Sequence, residues 1–459
     1  MNEARQTRPP KNNQEDALRL YARKMRAWVD PADVFVTLYS RDANSFWLDR
    51  EHHTTDRFTV MGHAFGNRIL SATDALTLLE NEHRGWEFVD VTEPPPFAWR
   101  PGLVGWFDYP TKEQESELAG RWQVVREAVV FDHDRRDLWM VGEFDDQEHF
   151  EEWVRALLLR LGLSGGQSIG YRQRHRQEHD STLTFMAHSP AAYLKLIAKA
   201  QSHIAAGDVY QLCLTNRLEF EHQLDPLAVY LELRAANPAP YACYLKFEDQ
   251  ALVCSSPEQF LSVSSDGIVS SRPIKGTRPR SIDSDQDRKI AQELATNAKE
   301  RAENLMIVDL MRNDLGRVSE PHSVAVTALF EVEQYATVHQ LVSTVTARLE
   351  AGVSMRGLLQ SAFPGGSMTG APKIRAMQLI GDLEGIPRGV YSGAAGYLAM
   401  DGSADLGMTI RSLVFDGAKV SLGVGGGITI DSDPDAELAE TELKAKALLR
   451  AIGATNPWA

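Results

Sequence analysis

The stretch Ser271-Arg272-Pro273-Ile274-Lys275-Gly276-Thr277-Arg278-Pro279-Arg280 sets one lysine in a strand-like run, with a proline two residues before it and a glycine directly after. Proline removes a backbone donor and glycine permits close backbone approach, so regular structure is expected to end near this point. A lysine crowded by the following arginines and partly desolvated would lose proton affinity, and a neutral amine is a nucleophile. The same residues also describe a solvated basic turn. Downstream of a helix at about 190–206, strands read at 211–220, 241–247, 251–254 and 267–271. A helix then runs from about Asp285 past Glu303, and strands return at 324–335 and 341–349. Strands and helices come in groups rather than in strict alternation, which predicts an α+β fold with antiparallel sheets.

Upstream, short strands are expected at 34–39, 45–48, 103–107, 124–131 and 138–141. A helix over 148–161 follows, with Phe150, Val154, Leu157 and Leu158 on one stripe. Ser164-Gly165-Gly166 opens a polar, arginine-rich stretch to about Thr182, read as a linker. Its Arg172, Arg174, His175 and Arg176 fit a phosphate patch or a solvated connector, and the acidic whole favours the connector. The resulting division is a disordered tail over 1–13, an N-terminal region with linker over 14–180, and a second region over 181–459.

The 459 residues are 43% hydrophobic and 24% charged, enough for a large core. A net charge of −15 argues against a nucleic-acid or anionic-membrane binder. An anionic substrate would then need a local cation cluster or a metal. Cys213, Cys243 and Cys254 lie in strand-like segments with no metal-binding spacing, so reduced core thiols are expected. No run of about 18 apolar residues and no apolar signal core appear, so a cytoplasmic protein is expected.

Three further segments can carry chemistry. Asp433-Pro434 supplies an N-cap and a first helical proline, after which Glu437, Glu440 and Lys444 share one helical face. Two carboxylates there can hold a hard divalent cation, or form an ordinary exposed ion-pair face. Gly423-Val424-Gly425-Gly426-Gly427-Ile428 fits neither a Walker loop nor a dinucleotide fingerprint; its bare amides suit a carboxylate, or it is a tight bend leaving a strand. The run from Phe363 through Pro364-Gly365-Gly366-Ser367 to Lys373 places glycines and hydroxyls before a helix starting near Pro372, an anion-ready arrangement. Glu303 precedes an apolar run, at the edge of a buried site or in solvent.

Taken in order, these segments resemble the chorismate-utilising enzymes, which include anthranilate, aminodeoxychorismate, isochorismate and salicylate synthases. The resemblance is carried by SPE (256–258), PIKGTRPR (273–280), AENLMIVDLMRNDLGRV (302–318), FPGGSMTGAPKIRAM (363–377), YSGAAGYL (391–398), TIRSL (409–413) and GGGITIDSDPDAELAET (425–441). It spans most of residues 190–452, with a looser echo in GLVGWFDYP (102–110). Lysine rather than alanine within PIKGT resembles the members that aminate chorismate at ring carbon 4.

The resemblance implies a four-layer α/β/β/α body in which the two halves intertwine. It implies Lys275 as nucleophile and Glu258 as general acid, with burial raising the acid's pKa. Mg²⁺ would sit on Glu303 and Glu440, with Glu437 behind. Chorismate would be held by Gly276, Thr277, His339, Tyr391, Arg411, Gly425, Gly426, Gly427 and Lys444. No nucleophile-elbow cysteine is visible, so a glutamine amidotransferase partner is expected to supply ammonia, and the product would serve para-aminobenzoate and folate synthesis. An L-tryptophan pocket is also implied, at Ser40, Pro240 and Tyr241. Its usual Leu-Leu-Glu-Ser reads Thr37-Leu38-Tyr39-Ser40 here, which leaves that pocket's ligand open.

Overall fold

Four helices begin at an Asp-Pro or Ser-Pro pair, and each capping side chain accepts a backbone N–H of the first turn. Asp30 accepts from Ala32 at 2.8 Å, Ser189 from Ala192 at 3.4 Å, Asp225 from Ala228 at 2.8 Å and Asp433 from Ala436 at 2.8 Å. The first cap overturns one expectation. Residues 34–39, expected as a strand, lie in the helix Pro31–Tyr39, because Asp30 and Pro31 start a helix whose apolar side chains are buried. The helix expected from Asp285 past Glu303 is two, Ser284–Thr296 and Ala298–Gly316. Asn297 ends the first, and its side chain caps the second through the Glu300 N–H at 3.1 Å.

This computed structural model describes residues 18–25, 28–53, 56–82, 88–89, 93–111, 117–162, 165–175, 181–335 and 337–458. The tail expected over 1–13 and Arg176 lie outside the described residues. Within the arginine-rich stretch, residues Gln167–His175 form a helix rather than open chain. The buried Asp33 carboxylate accepts the Gly166 and Ser168 N–H groups at 2.8 Å each, and Tyr171 donates to Asp225 at 3.1 Å. No helix among the described residues is long and apolar enough to cross a membrane.

Two antiparallel sheets, one of twelve strands and one of ten, form the middle of the molecule. Both draw on both halves of the chain. Asn44–Asp49 pairs with Tyr241–Phe247 in the larger sheet, and Gly102–Phe107 pairs with Ala394–Ala399 in the smaller. Helices Pro190–Ala205, Pro226–Ala236 and Pro434–Ala451 cover the larger sheet, while Ser284–Thr296 and Ala298–Gly316 cover the smaller. The order is helix, sheet, sheet, helix: the four-layer α+β body. Four buried apolar clusters fill the three gaps between layers, two of them between the larger sheet and its helices. In the central gap Trp106 of one sheet meets Phe247 of the other edge-on, with ring centroids 4.5 Å apart. Such a pair adds about 0.5–1.5 kcal/mol beyond the area it buries.

Candidate active site

The site lies where the chain passes between sheets. Strand Gln250–Ser256 belongs to the larger sheet and Gln259–Val263 to the smaller, so Pro257 and Glu258 make the crossing. A cavity of about 1110 Å³ opens beside it. It is lined by Glu258, Lys275, Gly276, Thr277, Glu303, Tyr391, Arg411, Gly425, Gly426, Gly427, Glu437, Glu440 and Lys444.

Lys275 comes from the edge strand Ile274–Pro279 of the smaller sheet, paired with Val338–Arg348. The register slips between Lys275 and Thr277, where Gly276 takes φ +75°. A side chain there would be strained, and its Cβ would come within 2.7 Å of Leu294. Lys275 Nζ reaches across to the larger sheet: it lies 3.8 Å from Glu303 Oε2 and 3.4 Å from where a Cβ on Gly427 would sit. The expected crowding by arginines is absent. Arg278 pairs with Glu293 at 3.1 Å and Glu300 at 3.2 Å, and Arg280 with Asp287 at 2.8 Å, so helix carboxylates take up both charges.

Glu258 is buried. Burial pushes its carboxyl up to about 7, against a hydrogen bond with Ser367 and the nearby Lys275 charge. Ser367, one of the hydroxyls of the glycine-rich run, arrives on the loop after Phe363 and meets the Glu258 carboxyl rather than a free anion. That loop is pinned by Lys373, whose Nζ donates to the Ala362 and Pro364 carbonyls at 2.7 Å each and pairs with Asp314 at 2.5 Å.

The triglycine is not a bend; it lies inside strand Lys419–Ile428. Gly425 is opposite Thr215, yet the Thr215 N–H goes to Glu384 at 2.8 Å. Gly427 is opposite Cys213, yet the Cys213 N–H goes to Thr369 at 2.7 Å. These are non-hydrogen-bonded pairs, so the Gly425 and Gly427 amides point out of this ladder. On the other side the neighbouring strand pairs only with residues 419–422, leaving that edge open. Lys444 uses it, donating to the Gly425 carbonyl at 2.9 Å. Glycine is required here, because a Cβ on Gly425 would fall 2.1 Å from the Leu214 carbonyl oxygen.

Tyr391 lies flat against Gly423, where a Cβ would fall 2.2 Å from the ring. Arg411 holds φ +52°, and its guanidinium makes no hydrogen bond or ion pair among the described residues. Burial lowers its pKa against the attraction of Tyr391 and Glu440. An arginine side chain so placed is a ready fork for a carboxylate. His339 is not brought to the cavity. Val338 and Gln340 line it, so strand alternation turns His339 the other way, fully buried with Nε2 2.8 Å from Asp287.

Glu303 approaches on the helix over the smaller sheet, Glu437 and Glu440 on the helix over the larger. Burial raises the Glu303 pKa, opposed by Lys275 and Lys299 and reinforced by Glu300 and Glu437. Burial would also raise Glu440, but Lys444 at 2.7 Å outweighs it and holds the carboxylate below its ordinary range. Glu437 accepts from the Ser432 hydroxyl at 2.7 Å. Among the described residues no three His, Cys, Asp or Glu side chains close around a metal. Mg²⁺ needs less, being held by one or two carboxylates with substrate oxygens and water. Glu303 and Glu440, hard donors on facing helices, fit such an open half-site.

Of the three residues of the implied tryptophan pocket, Ser40 is separated from the adjacent Pro240 and Tyr241. Tyr241 lies at the Asp49 end of its strand pair, and Ser40 lies just before the Asn44 end. That separation is about 20 Å along the strands. Arg50 instead covers the Tyr241 ring at 4.4 Å and pairs with Asp405 at 3.0 Å, while Pro240 lines the main cavity.

An aminodeoxychorismate synthase of Streptomyces griseus is 40% identical over 96% of this chain, which spans 65% of that protein's length. An aminodeoxychorismate synthase component 1 of Klebsiella aerogenes is 36% identical, covering 83% of this chain and 84% of its own. The crystal structure of anthranilate synthase component I from Streptococcus pneumoniae superposes with a TM-score of 0.68 at 26% identity, over 97% of this chain and 93% of that one. The family model described as chorismate binding enzyme matches residues 43–450, and on that match the chain belongs to the chorismate-binding enzymes.

Proposed function

We propose that the chain converts chorismate and ammonia to 4-amino-4-deoxychorismate through a covalent adduct on Lys275. The observation that carries this reading is the placing of Lys275 Nζ in the same cavity as a buried Glu258 whose carboxyl is held near 7. Lys275 attacks ring carbon 2, the two ring double bonds shift, and the 4-hydroxyl leaves as water with the Glu258 proton. Hydroxide is a poor leaving group, so an acid protonated near neutral pH is what this step needs. Ammonia then adds at carbon 4, the double bonds return, and the Lys275 amine is expelled. The relatives named aminodeoxychorismate synthase support this outcome over its sisters.

Chorismate is a dianion and the chain is acidic, so local cations must hold it. Arg411, Lys444 and the outward amides of Gly425 and Gly427 supply donors for its carboxylates. Mg²⁺ on Glu303 and Glu440, with Glu437 behind, would add Lewis-acid charge beside a substrate carboxylate. A glutamine amidotransferase is the proposed ammonia source in the cell, and para-aminobenzoate the onward product of a further lyase.

The test is a product assay with chorismate, Mg²⁺ and ammonium chloride, resolved by chromatography and mass. The expected product is 4-amino-4-deoxychorismate, lost when Mg²⁺ is chelated. Anthranilate with pyruvate, or isochorismate, would overturn the assignment.

A further inference from the structure

The helix Lys373–Glu384 stops at Gly385, which takes φ +67°, and Pro387 keeps the helix from resuming. Arg388 follows directly and turns inward: its side chain is 3% exposed, as is that of Glu384. All five of its N–H groups find acceptors. Nε donates to Glu384 Oε2 at 2.9 Å and Nη2 to Glu384 Oε1 at 2.7 Å. Nη2 also donates to the Cys213 carbonyl at 2.7 Å. Nη1 donates to the Met368 carbonyl at 2.7 Å and, more loosely, to the Ser392 hydroxyl at 3.4 Å. The Tyr109 ring covers the guanidinium, its centroid 4.5 Å from the central carbon.

The three acceptors beyond Glu384 stand behind three different walls of the candidate active site. Met368 follows Ser367, whose hydroxyl bonds the Glu258 carboxyl. Ser392 follows Tyr391, whose ring lies on Gly423. Cys213 is opposite Gly427, over which Lys275 Nζ lies. The Ser367 turn is thereby held at both ends. Lys373 takes the Ala362 and Pro364 carbonyls before it, Arg388 takes the Met368 carbonyl after it, and the Cys213 N–H takes the Thr369 carbonyl at 2.7 Å.

Stability alone does not account for this arrangement. A buried ion pair is often no more stabilising than well-packed apolar side chains of its volume, because both charges must leave water. What the pair supplies is direction. A planar fork of five fixed donors sets three backbone segments relative to one another, which an ammonium on a flexible stem cannot do.

We propose that Arg388 is a positioning residue for the amination, holding the Ser367 hydroxyl on Glu258 through the Met368 carbonyl. It acts through that turn rather than on the substrate, and the proposal rests on the amination reading above. Around Glu258 stand the Ser367 hydroxyl, the Lys275 charge and the Ile274 N–H. Around Arg388 stand Glu384, Tyr109, Tyr391 and Cys213. Arg388→Lys keeps the charge among them, so a changed pH profile reports geometry. The test is the pH profile of adduct formation with chorismate and Mg²⁺, ammonium withheld, on Arg388→Lys, Ser367→Ala and the double variant, each first shown to melt cooperatively. The Ser367 bond lowers the Glu258 pKa, so in either single variant the midpoint of the alkaline fall is expected to move from about pH 7 to about pH 8. The double variant is expected to move no further, because both changes remove one interaction. An Arg388→Lys profile that stays at the wild-type midpoint, or a double variant whose shift is the sum of the two, overturns the proposal. If Arg388→Lys does not fold, Tyr109→Leu, which removes the ring over the guanidinium, is read in its place. A smaller move in the same direction is expected there, and a wild-type profile overturns the proposal. A wild-type chain that forms no adduct overturns the underlying reading instead.

Discussion

In the proposed reaction Glu258 and Lys275 divide the chemistry between a buried acid and an amine that bridges two sheets. Because burial holds the Glu258 carboxyl near 7, it is protonated at pH 6 and ionised at pH 8. The part of the adduct-forming rate that follows the protonated Glu258 fraction is therefore expected to be flat below about pH 7 and to fall about tenfold per unit well above it. Glu258→Gln should lower that rate by about 10²–10⁴ and remove the fall above pH 7 that Glu258 causes, as single-turnover mass measurements would show. The same raised pKa has a consequence for stability. The unfolded chain releases this proton from about pH 4 upward and the folded chain does not, so stability declines as pH rises through that window towards 7. Glu258→Gln is thus expected to melt above wild type at pH 8, with the difference shrinking at pH 5. The lysine and the acid were legible because their neighbours form a distinctive pattern. The role first given to Arg278 and Arg280 was not, because Glu293, Glu300 and Asp287, which take up their charges, come from separate helices.

At the scale of elements, two features hold the site in shape. Lys373 pins the loop that brings Ser367 to Glu258, and its partner Asp314 is buried. Lys373→Met would strand that carboxylate, at a cost of about 3–5 kcal/mol in chemical denaturation. It should also move the alkaline limb of the rate profile, since Ser367 lowers the Glu258 pKa. The second feature is the glycine strand. Gly425→Ala would drive a Cβ into the Leu214 carbonyl and is expected to destabilise by about 1–3 kcal/mol while raising the KM for chorismate. Sequence reading placed most strands and helices correctly, since capping pairs and apolar periodicity are local signals. It failed where a local signal was under-weighted or a distant contact decides. Residues 34–39 look like a strand until Asp30 and Pro31 are given their weight. His339 looks like a cavity residue until the strand's alternation assigns the cavity to Val338 and Gln340. The triglycine reads as a bend, and only its pairing with Gln211–Glu221 shows it as a strand.

Over the whole molecule, the N-terminal residues are part of the frame that holds the proposed catalytic ones. Removing 1–180 would expose the Tyr241–Phe247 edge by taking away Asn44–Asp49, and would strip Gly102–Phe107 from Ala394–Ala399. A fragment of residues 181–459 is expected to aggregate rather than give a cooperative melt, because long unpaired apolar edges seek other chains. A soluble fragment with a sharp transition would contradict that expectation. The four-layer plan was legible only through the resemblance, since grouping of strands and helices predicts α+β but not which strands meet. The most direct test of the account is intact mass of the full chain with chorismate and Mg²⁺, ammonium withheld, beside Lys275→Ala. The account predicts an increment of chorismate less one water on wild type alone, discharged as aminated product when ammonium is added. The same increment on Lys275→Ala, or turnover with no increment on either protein, would contradict it.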